Sequence, residues 1–148
     1  MYHFVDRPLL SLLGEARMLL GAMRLWREAY RAHHCPAAAL MPLFVGPRAA
    51  AIAPVHMVMA IMLLDAAHPL EIDASGTPLV GEGEAVFLAL WRHCARGEEG
   101  HARATLALLL PAHLVDTALN AFAEAVTALS RAGIMLARLS HPPTRKPC

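Results

Sequence analysis

From Ala49 to His68 the chain reads AAAIAPVHMVMAIMLLDAAH, with apolar residues at every helical angle and no charge before Asp65. A run that is apolar all round is normally a buried helix. This one is predicted to be the central helix, started or kinked at Pro54 and ended at His68 by the following Pro69. Upstream, Leu9, Leu13, Ala16, Leu20, Met23 and Tyr30 recur at three- and four-residue spacing, which predicts an amphipathic helix over 8–33 with Pro8 in its first turn. Arg17, Arg24 and Arg31 repeat every seventh residue on its other side, near Arg27 and Glu28. They read as a solvated stripe, with a docking stripe for an anionic ligand or for the acidic middle of a second copy as the sharper reading. His33, His34, Cys35 and Pro36 end the helix, and Gly46 and Pro47 break a short turn over 37–45.

The pattern changes after Pro69. PLEIDASGTPLVGEG is acidic and turn-rich, and the alternation Leu70, Glu71, Ile72, Asp73 suggests a short strand, compatible with a small hairpin closing at Ser75 and Gly76 within the 69–83 loop. A loop of this length is also where a binding surface is first sought. Helical spacing resumes at Glu82 or Glu84, with Val86, Phe87, Leu90, Trp91 and Cys94 on the inner face, and stops at Gly97. A shorter helix over 99–110 supplies Ala102, Leu106 and Leu109 or Leu110, and Pro111 opens a last one. There Leu114 or Val115, Ala118, Phe122, Val126 and Leu129 keep the period to Arg131, and Gly133 is expected to bend the helix rather than end it. The fold class is therefore all-α: a compact bundle of five or six helices around the central apolar one, a single domain over 1–139, and a disordered tail over 140–148 that exposes Cys148.

Composition narrows this further. The chain has 148 residues, 57% hydrophobic and 17% charged, so polar surface is scarce and apolar surface is expected to be covered by a partner. Net charge is only +1, distributed as +3 over 1–50, −5 over 51–100 and +3 over 101–148. Such segments can pair internally or between copies, whereas a dedicated nucleic-acid binder normally carries a net basic face, so the balance argues against nucleic acid as the main partner. Three widely spaced cysteines, Cys35, Cys94 and Cys148, suit a reducing, cytoplasmic setting. The N-terminal stretch lacks a basic region before its apolar residues and does not read as a secretory signal. The uncharged run over 49–64, about 16 residues, falls short of the roughly 20 that span a bilayer. No transmembrane segment is expected, with peripheral membrane contact left open.

Candidate chemistry is sparse, and no motif of a hydrolase, nucleotide-binding loop or paired CxxC occurs. Two acid-x-x-His pairs, Asp65 with His68 and Glu98 with His101, have the i, i+3 spacing that holds metals in di-iron carboxylate bundles. Such a site needs further inward-facing carboxylates, for which either Glu15 or Glu28, together with Glu124, are the candidates, and a divalent metal is the one cofactor this suggests. His33, His34 and Cys35 are adjacent and point in different directions, so helix capping accounts for them better than zinc does. Cys94 with His93 or His101 would make a nucleophile only if the thiol were accessible, yet it falls on the inner face. His56, Met57, Met59 and Met62 read as core residues, with an apolar lipid- or haem-like ligand against the methionines as the alternative. A helix-turn-helix over 82–110 would offer Arg103 alone to a duplex.

The segments SGTPLVGEGEAVFLALW and AFAEAVTALSRAG, in this element order over 8–139, resemble a family of small uncharacterised helical proteins of alphaproteobacteria. The resemblance implies the helical fold and no activity. Members carry a cysteine- and proline-rich loop where this chain has ASGTPLV, so no role of those thiols carries over. The expected function is that of a non-catalytic interaction or regulatory protein, the expected partner being a second copy or another protein, with metal binding and apolar-ligand binding as the alternatives.

Overall fold

The computed structural model describes residues 4–12 and 14–139, and these are 69% helical. Six helices form: α1 (Gly14–Arg31), α2 (Pro36–Ala39), α3 (Ile52–Ala60), α4 (Glu82–Ala95), α5 (Glu99–Leu109) and α6 (Ala112–Arg131). The expected all-α bundle is thus what the chain adopts. The tail over 140–148, Cys148 and Leu13 lie outside the described residues.

The first helix begins at Gly14, six residues later than its spacing suggested. Before it the backbone is committed elsewhere. The N–H groups of Asp6 and Leu9 donate to the carbonyls of Val80 and Pro78, and Val80 N–H donates to Arg7, making an antiparallel bridge between Pro8 and Leu79. This replaces the hairpin expected inside the 69–83 loop, which only turns at Ser75–Gly76. A lone two-stranded ribbon is marginal in water, and here the pairing is a single bridge to the N-terminal segment.

Helices α1, α4 and α6 end alike. His34 N–H reaches back to Ala29, Glu98 N–H to His93 and Ile134 N–H to Leu129, each spanning five residues, and the residue before each donor has positive φ. This is the Schellman stop. Gly97 and Gly133 take the left-handed position freely, but at the end of α1 it is held by His33 at φ 58°. Gly133 therefore ends α6 at Arg131 and does not bend a continuing helix; the buried Ile134 and Leu136 pack from the extended segment and 3-10 turn that follow.

The core is one cluster running from Phe4 to Leu139. Phe87, Trp91 and Phe122 meet at its centre, with Trp91 and Phe122 edge to face at 4.9 Å between ring centroids. Around it α3 packs on α6, and α4 packs on both α5 and α6. α1 contributes Ala16, Leu19, Leu20, Met23 and Trp26.

Candidate interaction surface

The central run forms one helical stretch of 20 residues: a 3-10 turn over Gly46–Ala51, then α3, then a π-turn over Ile61–Asp65. It ends at Asp65, not at His68, because Ala66 is extended at ψ 138°. The 3-10 turn lengthens it beyond the 16 uncharged residues, so by length and composition alone it is long and apolar enough to cross a membrane.

The expectation that this helix is wrapped on all sides is corrected by burial. At 100° per residue, Val55, Val58, Met59 and Met62 share one side of α3 and are closed in the core. His56 lies on one flank, where its Nδ1 accepts the indole N–H of Trp26 at 2.9 Å. On the other flank Pro54 borders a recess that Ala123, Glu124, Thr127, Ala128 and Arg131 of α6 complete. The outward side is Ala53, Met57, Ala60 and Leu64, of which Met57 is 54% and Leu64 38% exposed. Only 39% of the most apolar part of the stretch is buried. The chain therefore presents a helix face with no charge between Arg48 and Asp65 to the outside.

The arginine stripe of α1 is split by the fold. Arg17 and Arg31 are exposed, as expected, but Arg24 is 2% exposed against a fully buried Glu84, the first-turn acid of α4. Arg24 Nε donates to Glu84 Oε2 at 2.7 Å and Nη2 to Oε1 at 3.0 Å. Nη1 and Nη2 also donate to the carbonyls of Thr77 and Leu79, at 2.8 and 3.0 Å. Glu84 Oε1 also accepts the N–H of Gly81, closing the first turn of α4. Glu28 accepts the N–H of Ser75 at 2.7 Å. The acidic loop is thus tied to α1 of its own chain. Burial, then the charge of Glu84 and a hydrogen bond with it, push the Asp73 carboxyl above its ordinary range, against the pull of Arg24.

The four proposed metal ligands fall into two groups. Asp65 and His68 are both exposed at the end of the central run, and the backbone N–H of His68 donates to Leu109 O at the far end of α5. His101 lies eight residues earlier on α5, about 12 Å at the helical rise. Glu98 does not turn toward His101 as the spacing suggested. The Schellman stop at Gly97 folds it back onto α4, where Glu98 Oε1 stands 3.3 Å from His93 Nδ1, and the His93 ring stacks on His101 at 5.3 Å. Burial pulls the His93 imidazole below its usual pKa, partly offset by Glu98. Among the described residues no group of three or more His, Cys, Asp or Glu side chains converges as a metal site. Glu15 borders a surface recess with Met18 and Arg48, Glu28 is committed to Ser75, and Glu124 borders the α3–α6 recess.

Cys94 lines a cavity of about 250 Å³ with Gly97, Glu99, Ala102, Leu119, Asn120 and Ala123. Burial pushes its thiol up to about 12, so at neutral pH it holds its proton and is a poor nucleophile. Met59 and Met62 are sealed in the core, leaving Met57 as the methionine of α3 open to a ligand. Cys35 is exposed, with His33 and His34 beside it at the end of α1.

Compared with known proteins, the chain matches no family model, and no curated protein and no solved structure shows significant similarity to it.

Proposed function

We propose that this chain is an α-helical interaction protein that acts by binding a protein surface, in the first instance a second copy of itself, without catalysing a reaction. The observation that carries this is the outward side of α3 and the π-turn after it, where Ala53, Met57 and Leu64 are exposed and Ala60 half-buried on a helix whose opposite side is core. Uncovered apolar area is unfavourable in water, and an exposed stripe of this kind marks an association surface. The half-buried, high-pKa thiol of Cys94 and the Arg24–Glu84 pair that holds the 69–83 loop to α1 argue for binding over chemistry. A reducing, cytoplasmic setting fits the free Cys35 and Cys94. The test is a solution mass by light scattering at micromolar concentration. A species of about twice the 16.0 kDa chain is expected, and a clean monomer would remove the self-association.

A further inference from the structure

We infer that the second copy docks on the seam between α3 and α6 about a two-fold axis, with Glu124 of each copy facing Arg131 of the other. This rests on the self-association proposed above and goes beyond it by naming the surface and its pairing.

Three observations converge on that seam. The outward stripe of α3 runs alongside it and carries no charge. The recess between the helices is floored by small or short residues, Pro54, Ala123, Thr127 and Ala128, so a facing helix can approach closely. Its two charges are Glu124 and Arg131, both exposed, and neither has an ion-pair partner among the described residues.

The spacing of those charges selects the symmetry. Glu124 and Arg131 are seven residues apart, two helical turns, on the same side of α6 and separated by about 10 Å. In a two-fold contact, residue i of one copy meets j of the other and j meets i. Antiparallel α6 helices with the axis beside Thr127 and Ala128, midway between the two charges, set each Glu124 against the partner copy's Arg131. The same axis runs each α3 antiparallel to its counterpart, with the exposed Met57 and Ala53 beside the contact. The contact then has an apolar centre with charges at its edge, the usual anatomy of a protein interface. A lipid bilayer would cover α3 equally well, but it offers no partner for a Glu and an Arg placed symmetrically about a strip of small residues.

The experiment is sedimentation of the whole chain across a concentration series, with circular dichroism to establish that each variant is folded; all substituted positions are exposed. Arg131→Glu places like charges at both ends of the contact and should raise the dimer dissociation constant at least tenfold. Glu124→Arg/Arg131→Glu restores opposite charges and should recover the dimer, while Met57→Asp should leave a folded monomer. A parent dimer indifferent to all three variants would overturn this surface and leave self-association standing. A parent monomer would overturn both. A swap variant as dissociated as Arg131→Glu would overturn the antiparallel pairing. Flotation of the parent, but not of Met57→Asp, with phosphatidylcholine vesicles would reassign the stripe to lipid and overturn the proposal.

Discussion

Replacing Arg24 by Met tests what holds the acidic loop to the bundle. The thioether fills much of the space of the arginine stem but leaves Glu84, fully buried, without its cation. Removing one partner of a buried ion pair costs about 3–5 kcal/mol, because an uncompensated charge remains in a low-dielectric site. Two further terms oppose each other: the carbonyls of Thr77 and Leu79 lose their donors, whereas water can reach them in the exposed part of the loop. For a chain of 148 residues the unfolding entropy is about 0.3 kcal/mol/K, so the loss corresponds to a fall in Tm of roughly 10–16 °C. Thermal unfolding followed by far-UV circular dichroism at neutral pH measures it. The control is Arg24→Met/Glu84→Met, which removes both charges. It still loses the Glu84 contribution to the first turn of α4, about 1 kcal/mol, yet should recover at least half of the single variant's deficit. A single variant that loses less than about 1 kcal/mol, or a double variant no more stable than the single, would refute the claim that burial of an unpaired carboxylate sets the cost.

Three further outcomes follow from individual positions. His33→Gly relieves a left-handed backbone at the stop of α1 and should stabilise by about 0.5–1 kcal/mol in denaturant titration, after the extra chain entropy of glycine is subtracted; a loss of stability would contradict the Schellman assignment. Asp73 has its carboxyl raised in the folded chain, so between its unfolded pKa and the raised value the folded state binds the extra proton, and stability falls as pH rises through that window. Asp73→Asn should flatten this slope and raise stability at neutral pH, and an unchanged pH profile would speak against it. Cys94 should resist alkylation at mildly alkaline pH while the exposed Cys35 reacts, and should become reactive on unfolding; equal rates in the native protein would show that the cavity does not protect its thiol.

The helices were legible where period and punctuation agreed. Val86, Phe87, Leu90 and Trp91 after two acids, and Gly97 after them, place α4 within a residue or two of Glu82–Ala95. Pro111 marks the start of α6 in the same way. The N-terminal boundary was not legible, because Leu9 fits the helical period and nothing local announces that its N–H is claimed by Pro78, 69 residues away. Arg24 illustrates a similar limit. Its sevenfold spacing with Arg17 and Arg31 describes a helix face, but burial depends on Glu84, and that partner is set by how α4 docks. For the candidate metal ligands, the i, i+3 rule assumed an unbroken helix, and the Schellman stop at Gly97 sent Glu98 to His93 instead of His101.

The central run shows why hydropathy along a chain does not by itself say which side of a helix is covered. A buried helix and a helix with one side reserved for a partner have the same composition, because in each case every angle must tolerate an apolar neighbour. They differ only in which neighbours the rest of the chain supplies. Here α6 and α2 pack on α3, α1 reaches it through Trp26 and His56, and the paired charges that tether the 69–83 loop lie between α1 and α4. Nothing else in the described chain is placed to cover Met57 and Leu64. The +3, −5, +3 charge segments are met in part within one chain, through Arg24 with Glu84 and Arg103 with Asp116 and Glu99. Charge alternation is therefore weak evidence for association between copies. The apolar stripe, with Glu124 and Arg131 beside it, is the feature that internal pairing does not account for.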